Sequence, residues 1–204
     1  VTETWLNFLL KGGILMIPII LCSVFGLALI LDRLYAYRKM KLRGFELAKG
    51  VKNALGRGDF AGAAVLLEGI EEAGARVLRG TFCRLRENPG SVRSSFIMAA
   101  AGLVKEMEKS LKGLSTVATI SPLLGLLGTV IGMIRAFMQI ERHGAAVNPA
   151  LLAGGIWEAL LTTAAGLTVA IPCLMFYNYF QGRIEYVEGE LGRLGMELED
   201  AASN

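Results

Sequence analysis

The sequence predicts an all-α membrane protein, with three transmembrane helices and long helices extending into a cytoplasmic helical bundle. Three observations lead there. Uncharged runs occupy residues 12–31, 113–134 and 159–182. Each can cross a hydrocarbon core of roughly 30 Å, which takes about 20 helical residues. Residues 38–112, by contrast, are soluble in character and carry 15 Lys/Arg against 8 Asp/Glu. Lastly, apolar positions at steps of three and four continue from the second and third runs into the charged segments, the pattern of helices with one apolar stripe. The composition agrees: 53% of residues are hydrophobic and only 19% charged, less charge than a soluble domain of this size carries.

Taken in order, Trp5, Leu6, Phe8, Leu9 and Leu10 suit a short interfacial helix with the indole at headgroup depth. Gly12-Gly13 separates it from the first span. Pro18 falls in the first turns of that span; a missing N–H is tolerated in the first turn and costs more just beyond it, so a slight kink or a later helix start is expected. The span is followed by Asp32-Arg33 and a basic run rather than a small-residue cleavage site, so it reads as a retained helix and not a cleaved leader.

The basic segment orients the chain. Arg38, Lys39, Lys41 and Arg43 lie next to the first span, and Lys105, Lys109 and Lys112 next to the second. Positive flanks stay on the cytoplasmic side, which predicts an outer N-terminus, an inner loop and an inner C-terminus. Within the loop, residues 45–55 read as a helix. Asp59 is positioned to cap a second one, and residues 72–85 form a third. Asn88-Pro89-Gly90 is a turn, after which Ser91 can cap the next helix. From there Phe96, Ala100, Val104, Met107, Leu111, Leu114 and Ala118 form one stripe. It predicts a single helix from about residue 91 to about residue 137. Pro122 inside it should kink it or free a carbonyl.

A short outer turn comes next, and Pro149 opens the third span. Beyond that span Ile184, Val187, Leu191, Leu194 and Leu198 make another stripe. Residues 181–204 hold two basic and six acidic side chains, complementary to the basic loop against which this helix is expected to pack.

Glu158 is the one carboxylate in the second or third span, and an acid there is a functional-site hypothesis by default. With residues 137 and 150 at similar depth, Thr129 stands opposite Glu158, about eight residues into its own helix, and Thr163 about one turn deeper. Helical phase puts Thr162, at i+4, on the face of Glu158. These hydroxyls either relay a proton or bond back to their own helix carbonyls. Depth is open as well. Trp157 and Tyr177 are separated by about 30 Å of helix, and if they mark the two interfaces Glu158 is interfacial. Gly125, Gly128 and Gly132 on one helix, and Gly155 and Gly166 on the other, form small-residue strips that let helices approach closely.

Other function classes find little support. Cys22, Cys83 and Cys173 are scattered without a CxxC or His/Cys cluster, so neither zinc nor a disulfide framework is indicated, and no cofactor is expected. No nucleophile–base set suggests an enzyme. The short chain lacks the repeated spans of a transporter, and membrane orientation accounts for the basic loop without nucleic acid. A scaffold that organises partners without moving ions is the competing class.

Two blocks resemble the ExbB/TolQ/MotA family of proton-channel and motor proteins. Residues 121–137 contain Gly-Leu-Leu-Gly-Thr-Val, and residues 156–178 contain Glu-Ala-Leu-Leu-Thr-Thr-Ala-Ala-Gly-Leu, then Ala-Ile-Pro and Tyr-Asn. Leu-Asp-Arg-Leu at the end of the first span and Gly-Arg-Gly-Asp in the loop are weaker matches. Three spans with a long first loop are more similar to ExbB or TolQ than to MotA, and most similar to ExbB. The resemblance implies a bacterial inner-membrane homo-oligomer, a pentamer, in contact with membrane lipid. It would enclose an ExbD- or TolR-like single-span partner and drive a TonB- or TolA-like protein. It implies proton-pathway roles for Thr129, Glu158 and Thr163. Trp157 and Arg135 depart from the family pattern, and Arg135 sets a positive charge at the outer mouth. The expected organisation is a periplasmic or interfacial segment 1–11, spans at 12–36, 113–138 and 151–180, a cytoplasmic helical region 37–112, a periplasmic turn 139–150 and a cytoplasmic helix 181–204.

Overall fold

The computed structural model describes residues 13–39, 53–54, 56–70, 72–87, 91–143 and 149–203. The expected N-terminal interfacial helix and nearly all of the expected 45–55 helix lie outside them. The described residues form six α-helices: α1 Met16–Lys39, α2 Phe60–Leu66, α3 Ala73–Glu87, α4 Val92–Glu108, α5 Leu111–His143 and α6 Pro149–Ser203. Stretches within Met16–Arg38, Val92–Glu141 and Ala153–Asp200 are long and apolar enough to cross a membrane. The protein is an all-α, multi-pass membrane protein.

Local chemistry explains the helix ends. Pro18 sits in the first turn of α1, where its missing N–H is no loss, and Pro149 opens α6 for the same reason. Asp59 caps α2, its carboxylate accepting from the Gly62 N–H at 2.8 Å. Ser91 stands at the N-cap of α4 in extended conformation, but its hydroxyl makes no cap bond. Instead the Ser94 hydroxyl donates to the Ser91 carbonyl at 2.9 Å, so the expected serine cap is absent.

The chain divides into two compact units. One comprises residues 1–31 and 112–178. Here α1, α5 and α6 meet around small residues. A Cβ on Gly26 would stand 2.7 Å from Cys173 Sγ and 3.3 Å from a Val117 methyl. The outward side chains of this unit are large and apolar, among them Leu21, Phe25, Leu126, Val130, Ile171 and Met175. So broad an exposed apolar surface is foreign to a water-soluble domain. It suits helices whose backbone groups are satisfied internally and whose sides meet lipid or other helices.

The other unit comprises residues 32–111 and 179–204. Its core joins Val77, Leu78 and Phe82 of α3, Phe96, Leu103 and Met107 of α4, and Ile184, Val187, Leu191, Leu194 and Leu198 of α6, all buried. The α6 stripe read from the sequence is thus the buried face. On α4 the register is shifted: Leu103 is buried, whereas Ala100 and Val104 are only half-buried. Arg93 pairs with Glu199 at 3.4 Å and Arg76 with Glu106 at 2.9 Å.

The expected single helix over 91–137 is two helices, interrupted at Lys109-Ser110. Carbonyls in the last turn of a helix lack intrahelical partners. At this break α1 supplies them. The Arg33 guanidinium donates to Glu106 O at 3.3 Å and Met107 O at 3.5 Å, and the Tyr37 hydroxyl donates to Met107 O at 3.3 Å. Arg33 is itself held by Asp32 at 2.9 Å, and the Tyr37 ring stacks on Phe180 with centroids 5.1 Å apart.

Candidate functional site

The site is built on the antiparallel seam of α5 and α6, where glycines let the backbones nearly touch. A Cβ on Gly132 would be 2.9 Å from the Ala159 methyl and 3.1 Å from the Gly155 carbonyl. One on Gly155 would be 3.0 Å from the Ala136 methyl. One on Gly125 would be 3.0 Å from the Thr162 carbonyl and from Thr163 Cα. Gly166 lies against the Ser121 carbonyl and Gly125, and Gly128 against the Thr162 side chain. Close approach of this kind replaces side-chain packing by backbone contact and brings polar groups of one helix within reach of the other.

Two threonines use that proximity. Thr163 Oγ1 donates across the seam to the Gly125 carbonyl at 3.0 Å. Thr162, 1% exposed, donates to its own Ala159 carbonyl at 2.7 Å and lies 3.5 Å from Gly125 O. Both hydroxyls therefore converge on one carbonyl of α5, although the helical phases of the two residues differ. Thr129 does not join them. Its hydroxyl donates to Leu126 O at 2.6 Å in its own helix, and among the described residues no hydrogen bond links it to Glu158.

Glu158 finds a different neighbour. Its Oε1 accepts from Arg135 Nη1 at 2.9 Å, an ion pair between α5 and α6 in which the Arg135 side chain is 50% exposed and that of Glu158 26%. The same oxygen also faces the turn that begins α1. Gly13 has φ +69°, and a Cβ there would collide with Glu158 Oε1. Only glycine meets both demands, since other residues pay for a positive φ and would displace the carboxylate. All three apolar helices thus contribute to the surroundings of one acid. Its level coincides with the beginning of α1, at one end of the helix bundle. Trp157 beside it points outward and is 55% exposed.

The sequence marked Glu158, Thr129, Thr162 and Thr163. It treated Arg135 as an isolated charge and Gly13 as a helix breaker. The available signal was charge balance. Between Lys112 and Arg183 the charged residues are Arg135, Glu141, Arg142 and Glu158. Of these, only Arg135 and Glu158 lie more than a few residues inside the helix ends nearest the outer turn.

Comparison with known proteins agrees with the motifs. Residues 62–192 match the MotA/TolQ/ExbB proton channel family. An ExbB-like biopolymer transport protein of Synechocystis (ExbB-like 3) is 31% identical over 84% of this chain and 82% of its own length. A second, ExbB-like 1, is 30% identical over 97% of this chain and 79% of its own. The Tol-Pal system protein TolQ of Haemophilus influenzae is 40% identical over a shorter stretch, 44% of this chain and 39% of its own length. With a family match across both motif-bearing helices and relatives similar along most of their length, the chain belongs to the MotA/TolQ/ExbB proton channel family.

Proposed function

We propose that the chain is the channel and motor subunit of an ExbB-type energy transducer in the bacterial inner membrane. With an ExbD-like single-span partner, it would couple the proton motive force to TonB-dependent transport across the outer membrane. The observation that supports this reading is Glu158, a carboxylate bordered by all three apolar helices beside a glycine-lined seam. A proton crossing a potential of about 100 mV releases roughly 2.3 kcal/mol. A large mechanical step therefore takes several protons. In this reading the subunit is not an enzyme, carries no cofactor and assembles as a homopentamer around the partner. The exposed apolar faces of α1, α5 and α6 supply the contacts with lipid and neighbouring subunits. A TolQ-like role in a Tol-Pal system is the closest alternative. The first reading rests on the ExbB-like relatives that align over 84% and 97% of the chain, and proteins named TolQ match as well.

The test is Glu158→Ala in a strain whose TonB-dependent uptake rests on this subunit. Uptake should fall to background while the purified oligomer keeps its size. Full uptake by the variant would remove Glu158 from the mechanism, and a proton-conducting function with it.

A further inference from the structure

In the unit of residues 32–111 and 179–204, opposite charges are only partly paired within the chain. Helix α3 carries Arg76, Arg79, Arg84 and Arg86, with no acid before Glu87. Arg76 pairs with Glu106 at 2.9 Å, and Arg79 donates to the Ile70 carbonyl at 3.4 Å. Arg84 donates to Met98 Sδ at 3.4 Å, a weak acceptor. On the acidic tail, Glu199 takes Arg93, and Glu190 and Glu197 flank Arg193. Among the described residues no ion pair engages Arg84, Arg86, Glu185 or Glu188, and all four are exposed.

Arg84 overhangs a groove of about 220 Å³ between α3 and α4. Gly80, Ala99 and Gly102 keep it open, and Met98 forms one wall. Met98 and its neighbour Ile97 are 59% and 55% exposed. Adjacent apolar side chains on a charged surface mark a place that another surface covers.

The level of this groove in the bundle identifies the cover. A Cβ on Gly195 would stand 2.9 Å from the Phe96 ring, and Arg93 pairs with Glu199, so α4 and α6 run antiparallel. Counting up one and down the other, residues 98–102 stand level with about residues 189–193. At that level Leu191 and Leu194 face the core. The outward side of α6 carries Glu188, Gly189 and Gly192, and neither glycine has a heavy atom within 4 Å of an added Cβ. A protruding Met98 with a cation beside it thus stands at the height of an open, acid-edged helix face. The two surfaces belong to different sides of the unit, because α4 meets α6 through Phe96 and Arg93. Unlike patches on one chain make a head-to-tail contact between copies, and such contacts close into rings when the rotation allows. Copies related by rotation alone, with the bundle along the ring axis, also bring equal levels together.

We propose that the α3–α4 groove of one copy receives the outward face of α6 from a second copy. Met98 packs over Gly189 and Gly192 of the neighbour, and Arg84 pairs with its Glu188. This rests on the homo-oligomer of the proposed function and gives it a head-to-tail contact outside the apolar spans. The packing supplies most of the stability, and the charges fix partner and register.

The experiment uses the full chain in membranes, with Cys83→Ser removing the exposed native thiol. Two differently tagged chains are produced together, one carrying Met98→Cys and the other Gly192→Cys, and treated with a short bismaleimide. A covalent dimer bearing both tags is expected, while either variant produced alone stays unlinked. A dimer from either variant alone means that like faces meet, and overturns the proposal. An oligomer of unchanged size without the mixed dimer overturns it too and leaves the functional reading standing. A chain that purifies as a monomer removes the oligomer of that reading as well. If Gly192→Cys does not assemble, charge reversal serves instead. Arg84→Glu and Glu188→Arg should each make the oligomer dissociate about threefold more readily on dilution, and the two together should restore it. Dissociation unchanged by both single reversals, or not restored by the pair, overturns the contact.

Discussion

At the scale of single residues, the glycines of this chain divide by what lies above their Cα atoms. Gly128 sits against the side chain of Thr162, whereas Gly154, on the same α5–α6 hairpin, has no heavy atom within 4 Å of an added Cβ. Overpacking a tight seam costs about 1–3 kcal/mol, while alanine in place of an open helical glycine gains about 0.5–1 kcal/mol. Thermal unfolding in detergent should therefore move in opposite directions, with Gly128→Ala melting lower and Gly154→Ala higher. Gly13→Ala should be costlier still than its φ of +69° implies. That φ alone penalises an L-residue by roughly 1–2 kcal/mol, and the new methyl must also displace the Glu158 carboxylate.

At the scale of elements, the interruption between α4 and α5 shows how a helix boundary is set from a distance. The stripe through Met107, Leu111 and Leu114 continues across it, all three being buried, so periodicity gives no sign of a break. What stabilises the break is Arg33 and Tyr37, some seventy residues earlier in the chain. Tyr37→Phe removes one hydroxyl donor and should cost about 1 kcal/mol. The local readout is faster amide hydrogen exchange around residues 107–113, with α3 unaffected. Unchanged exchange there would mean that the turn at Lys109-Ser110 persists without these donors. Helix α2 offers a simpler case. Its seven residues are too few to be stable alone, so Asp59→Ala should cost about 1 kcal/mol and show first as faster exchange at Gly62 and Ala63.

At the scale of the whole molecule, the basic loop predicts which side of the membrane each segment occupies. Cys83, on α3, is exposed, whereas Cys173 is buried and Cys22 is half-buried. A membrane-impermeant thiol reagent should therefore label Cys83 in inside-out vesicles and leave it unlabelled in right-side-out ones. The reverse pattern would invert the topology drawn from the lysines and arginines flanking the spans.

The helical class, the three apolar stretches, the Asp59 cap, the α6 stripe and the glycine strips are all legible in the order of residues alone. Each rests on local chemistry: hydropathy along a run, spacing at three and four residues, or one side chain beside its own backbone. Family membership was legible for a related reason, since the motifs are contiguous blocks within α5 and α6. Tertiary structure decided who touches whom. It shifted burial from Val104 to Leu103, drew Thr162 and Thr163 to the Gly125 carbonyl, and left Thr129 on its own helix. It also set Arg135 and Gly13 against Glu158. The register between two helices depends on where the small residues of both strips interlock, and a fraction of a turn there exchanges one partner for another. A pattern that treats each helix separately does not contain that register.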